Sequence, residues 1–106
     1  MDITGTWDVV ASPDFDESYL NEEGTPYVSF ALEGQQIVGT YQVGLQAGQI
    51  VGRRMAGDEL LFSFEGMDEL EPVHGAGTIR LEGDRLIFTL MYHDGDDYTF
   101  ECERRP

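Results

Sequence analysis

Three groups of side chains in this 106-residue sequence could do chemistry. The first combines imidazole and carboxylate: His74 and His93, the two histidines, with Glu65 and Asp97. In antiparallel pairing, a two-residue turn at Gly83-Asp84 sets His74 opposite His93, and a three-residue turn over 94–96 sets His93 opposite Asp97. Matching Phe64 to Gly75 brings Glu65 beside His74. The expected result is a row Glu65–His74–His93–Asp97 on an outer rim. Opposed residues in such a row stand about 5 Å apart, close enough for two imidazoles and a carboxylate to share a zinc-like ion. A flat outward row converges poorly and excludes no water, so a solvated polar stripe is the plainer expectation.

The second group is aromatic. Tyr41, Phe62, Phe64, Tyr92, Tyr98 and Phe100 share inward parity with Trp7, Val28, Phe30 and Phe88. They could line a cavity, with the hydroxyls of Tyr41, Tyr92 and Tyr98 orienting a ligand. The third group is Arg53-Arg54. Consecutive strand residues face opposite sides, so one guanidinium is expected inward, as an anchor for a carboxylate or as half of a structural pair. Cys102, the single cysteine, excludes an intramolecular disulfide and is expected inward opposite Phe88 as core filler. No Gly-x-Ser-x-Gly, phosphate loop, His-Glu-x-x-His or dinucleotide fingerprint occurs. The residues therefore imply no cofactor, and catalysis ranks behind binding.

The elements that must position these residues are strands. Apolar side chains alternate through Ile3–Ala11, Val28–Leu32, Ile37–Val43, Gln49–Met55, Leu60–Phe64, Gly75–Leu81, Leu86–Tyr92 and Tyr98–Arg104, the period of strands buried on one face. No segment shows an amphipathic helix beyond a turn around Asp16–Leu20. Gly34-Gln35 and Gly83-Asp84 suit two-residue turns with glycine first, Ala56-Gly57-Asp58 turns again, and Asp94-Gly95-Asp96 precedes the last strand. Residues 44–48 form a turn and 66–72 an acidic loop. Eight short strands with short connections predict one all-β domain over residues 1–106, an eight-stranded antiparallel up-and-down β-barrel. Glycines opposite large residues (Gly39 and Phe30, Gly77 and Leu90, Gly75 and Tyr92) fit the curvature of a barrel wall.

Alternate connections share an end. The tight turns at 34–35, 56–58 and 83–84 stitch one end; the connections at 12–26, 44–48, 66–72 and 94–96 surround the other, and three of these are acidic. The net charge is −15, from 21 acidic residues against six arginines, with no lysine. Such a field disfavours nucleic acid and anionic membrane surfaces and tolerates a cationic or apolar ligand. No leader or membrane-length apolar run is visible, so a cytoplasmic location is expected.

The opening Ile3-Thr4-Gly5-Thr6-Trp7 is similar to the Gly-x-Trp signature of lipocalins, and with Val38-Gly39-Thr40-Tyr41 it resembles streptavidin-type proteins. Both belong to the calycin barrels. The resemblance implies that Trp7 plugs the closed end with Arg104 from the last strand on it, and that the 12–26 connection acts as a lid. Val9 stands where a biotin-binding polar residue is expected, and the further tryptophans of a biotin pocket are missing, so biotin is not the implied ligand.

The leading expectation is a non-catalytic barrel that binds a small, largely apolar ligand through the acidic mouth. A protein-interaction or structural module with a filled core follows. A metal-dependent enzyme using the rim histidines is third. An eight-stranded barrel is just wide enough for either of the first two; an internal cavity of a few hundred cubic ångströms is expected of the carrier, and a solid interior would count against it. Outward Val10, Ala31, Val38, Leu61, Ile87 and Met91 point to strand-face association into a homo-oligomer such as a dimer.

Overall fold

The computed structural model describes residues 2–54 and 59–106, position 54 by its backbone only. The period-two pattern becomes eight strands: β1 (Gly5–Ala11), β2 (Tyr27–Glu33), β3 (Gln36–Val43), β4 (Gln46–Arg54), β5 (Glu59–Asp68), β6 (Glu71–Glu82), β7 (Arg85–Tyr92) and β8 (Asp97–Arg104). A single helical turn, α1 (Glu17–Leu20), lies between β1 and β2. Each strand pairs antiparallel with the next, and β8 returns to β1, closing the barrel in chain order. Closure leaves no strand edge exposed for pairing with another chain. Gly34, Gly44 and Gly83 enter their two-residue turns at φ of 65°, 60° and 62°, a region that glycine occupies without strain. The turn expected at Ala56–Asp58 lies outside the described residues.

The inward pairs Phe30–Gly39, Gly77–Leu90 and Gly75–Tyr92 stand in register. Three local expectations are corrected. The turn placed over 44–48 is only Gly44-Leu45, so β4 begins at Gln46. The acidic loop over 66–72 is a continuation of the β5–β6 hairpin around Glu69-Leu70. Its acidic side chains disguise the strand, but charge on the solvent face costs a strand little. Finally, β8 is offset by two residues: Met91 faces Asp97, and Leu86 rather than Phe88 faces Cys102. The connection spans four residues, closed by Gly95 N–H donating to the Tyr92 carbonyl at 3.1 Å. An even offset preserves which side chains point inward.

The interior is filled by side chains. Phe62 stacks on Phe88 with ring centroids 5.4 Å apart, and Phe88 also meets Tyr41 at 6.0 Å and Phe100 at 6.1 Å. Val28, Ile50, Leu60, Ile79, Leu86 and Leu90 are buried around them. At the closed end Trp7 is buried and donates its Nε1–H to the Ile3 carbonyl at 2.9 Å. Arg104 donates to the Thr4 and Asp2 carbonyls, both at 2.7 Å, with its guanidinium 4.3 Å from the centroid of the Trp7 ring. This cap ties the N-terminal segment to the last strand. Open clefts lie on the outer wall and at this closed end.

Candidate functional site

The opposite end is covered by the connection between β1 and β2. Asp16 caps α1 by accepting from the Tyr19 N–H at 2.9 Å, which fixes the turn and aims its apolar side chains downward. Phe15 stacks on Tyr19 at 4.5 Å and meets Tyr98 at 4.9 Å and Phe100 at 5.9 Å. Leu20 is buried, and its carbonyl accepts from Gly44 N–H at 3.2 Å, while Glu69 N–H donates to the Leu45 carbonyl at 3.0 Å. Three loops are thus laced over the barrel, with Phe15 and Tyr19 as a plug that belongs to no wall strand.

Beneath the plug lies a polar cluster. Gln46 is fully buried; its Nε2 donates to the Tyr19 hydroxyl at 3.1 Å, and its Oε1 accepts from the Tyr92 hydroxyl. Beside it is Tyr41, 2% exposed, whose hydroxyl makes no hydrogen bond to another group among the described residues. Two inward glycines make room for that oxygen: a Cβ on Gly48 or Gly66 would lie 2.7 or 2.9 Å from it. Burial, helped by the charge of Asp68, pushes the Tyr41 phenol from 10.0 up to about 12. Burial and then Asp68 also raise Tyr92; burial and then Asp96 raise Tyr98. These hydroxyls remain protonated donors near neutral pH, in a field that opposes added negative charge.

Of the aromatic residues singled out from the sequence, Tyr41, Phe64, Tyr92, Tyr98 and Phe100 gather at this end. Tyr41–Phe64, Phe64–Tyr92 and Tyr92–Tyr98 centroids lie 6.2, 5.6 and 5.3 Å apart. Phe62 sits deeper, against Phe88. Gln46, Phe15 and Tyr19 were not anticipated. The available signal was three apolar residues, Phe15, Tyr19 and Leu20, at near-helical spacing in an otherwise acidic segment.

The rim histidines come together, but not in the expected four-residue row. Glu65 is opposite His74 in the ladder, and His74 stacks on His93 at 4.8 Å. Asp97, however, is carried away to face Met91, and His93 instead meets Asp94 at 3.4 Å. Among the described residues no group of three His, Cys, Asp or Glu side chains could hold a metal ion. Arg53 is exposed on the outer wall; the side chain of Arg54 lies outside the described residues.

No family model and no curated protein sequence matches the chain. Among solved structures, human cRBP IV matches with a TM-score of 0.58 at 16% identity, over 99% of this chain and 99% of its own. The fold shared with that protein is the closed eight-stranded antiparallel barrel. In this barrel the two ends differ in kind: one is sealed by Trp7 and Arg104, the other closed by a plug from a single connection. No helix among the described residues is long and apolar enough to cross a membrane.

Proposed function

We propose that this barrel is a non-catalytic binder of one small, largely apolar, uncharged or cationic ligand, admitted at the loop end when the Phe15–Tyr19 plug swings out. The observation that carries the reading is the Tyr41 hydroxyl, buried and free to donate beside the Gln46–Tyr92 cluster. Buried polar groups are nearly always paired, so an unshared donor below a removable plug is a natural recognition group for a ligand oxygen or nitrogen. Tyr92, Tyr98 and Phe100 supply the apolar walls. Nearby carboxylates disfavour a ligand carboxylate. The likeness of fold to human cRBP IV is in keeping with ligand binding by this architecture.

The interior is filled in the structure, which counts against a standing cavity; on this reading the ligand takes the volume that the Phe15 and Tyr19 rings vacate. The test is a fluorescence titration with the uncharged dye Nile red, alongside native mass spectrometry of protein from its own host. Phe15→Ala is expected to strengthen dye binding several-fold and Tyr41→Phe to weaken binding of the host ligand. If folded Phe15→Ala takes up no dye, and host protein carries no mass beyond 11.9 kDa, the carrier reading fails. The second reading, a module whose core stays shut, is favoured by the continuous contact of Phe62, Phe88, Tyr41 and Phe100 through the interior.

A further inference from the structure

The outer wall is divided by charge. Around β6, β7, β8 and β1 it is ionic: Arg80 pairs with Glu82, Arg85 with Glu101 and Glu103 at 3.0 and 3.4 Å, and Arg105 with Asp8. Across β2 to β6 the outward positions are of another kind. One cross-strand row reads Ala31, Val38, Val51, Ser63 and Ala76; the row beside it begins Ser29, Thr40 and Gln49. The carboxylates of this face are Glu33 at one end, Glu65, which continues the second row on β5, and Glu59 at the start of β5, with Arg53 exposed near the Glu33 end. Val51 and Leu61 are each 44% exposed. A shallow groove of about 440 Å³ crosses this face between Ala31, Val38 and Val51, and another of about 530 Å³ continues past Arg53, Leu61 and Ala76.

We infer that this face docks a second copy of the chain through a two-fold contact. The argument is electrostatic. A chain of net charge −15 repels its own copy wherever carboxylates would be apposed, and this is the face from which they are withdrawn. A two-fold contact matches a patch to itself, and the small and β-branched side chains here allow two sheets to approach to about 10 Å. Arg53 then lies within the rim of the partner copy, where carboxylates equivalent to Glu33 and Glu65 stand. In a closed eight-stranded barrel about three adjacent strands, here β3 to β5, can face a flat partner; at about 4.8 Å spacing the contact is about 15 Å wide and buries roughly 600–900 Å² over two copies, the size of a weak, transient dimer. Val10, Ile87 and Met91 do not belong to it: Val10 is on β1, and Ile87, on β7, is already buried. The inference holds whether the interior is hollow or filled.

Sedimentation velocity on the full chain, from about 1 to about 500 µM, tests it. Wild-type protein is expected to shift from 11.9 kDa toward twice that mass. Salt is expected to strengthen the dimer, because the opposing force is general repulsion that ions screen. Val51→Asp should remain monomeric throughout with an unchanged melting temperature, whereas Val10→Asp, outside the patch, should dimerise normally. Leu61→Glu repeats the test from β5 in case Val51→Asp does not fold. A wild type that stays monomeric at the highest concentration in high salt overturns the inference, as does a folded Val51→Asp or Leu61→Glu that dimerises like wild type.

Discussion

Replacing Tyr41 by phenylalanine removes one oxygen from the barrel interior and leaves the ring contacts with Phe64 and Phe88 in place. The hydroxyl is buried without a protein partner, and an unsatisfied buried polar group costs about 1–3 kcal/mol. Against that, the space left beside Gly48 and Gly66 is about one oxygen in volume and costs roughly 0.4 kcal/mol. The balance favours the variant by about 0.6–2.6 kcal/mol, which for a domain of this size raises the melting temperature by roughly 3–12 °C. Thermal and urea unfolding followed by circular dichroism measure it. The pH dependence supplies a second arm. The phenol of folded Tyr41 is raised from 10.0 to about 12; the stability linked to this shift is therefore fully present below pH 10 and lost as pH rises through about 12. Phenylalanine has nothing to ionise, so its advantage over wild type should widen between pH 10 and about 12 and then level off. A variant that melts at or below the wild-type temperature would show that the hydroxyl is satisfied in solution, and would refute the reasoning about Tyr41. The same substitution should weaken ligand binding, so stability and function would move in opposite directions at this residue.

Three further outcomes follow from the geometry. Arg104→Ala loses two hydrogen bonds to carbonyls and the contact with Trp7; it should cost about 1.5–3 kcal/mol and shift tryptophan emission to the red. Gly77→Ala places a methyl group into the Phe62 ring and the Thr89 carbonyl, an overpacking that should cost about 1–3 kcal/mol in urea unfolding. Cys102 is fully buried and burial pushes its thiol well above the ordinary value. A thiol reagent should therefore label it only at the rate of unfolding; rapid labelling of native protein would contradict the closed core.

The strands and their inward faces were legible because the side-chain period of a strand is a local property. Val28, Phe30, Tyr41, Phe62, Phe64 and Phe88 could be assigned inward from neighbours within a few residues, and closure followed from short connections with no helix to cover a sheet edge. The candidate site was only half legible. Tyr41, Tyr92 and Tyr98 could be assigned to one end, but Gln46 was hidden inside an overlong turn, and its partners Tyr19 and Tyr92 are 27 and 46 residues away in sequence. The position of Asp97 depended on the length of one turn, and two residues of offset were enough to break the expected Glu65–His74–His93–Asp97 row without turning any side chain over.

What the sequence determined by itself was therefore a set of faces and turns: which side chains are inward, where the chain reverses, and that the whole is acidic. Only the tertiary structure decided which acidic and polar residues meet. Closing β8 onto β1 gathers the ionic ladders on one side of the wall and leaves the Val38–Val51 face uncharged on the other. Laying the 12–26 connection over the mouth turns a patternless acidic stretch into an aromatic plug. Local alternation sets parity, but register and loop placement are settled by contacts between residues far apart in the chain, and those carry no local signal.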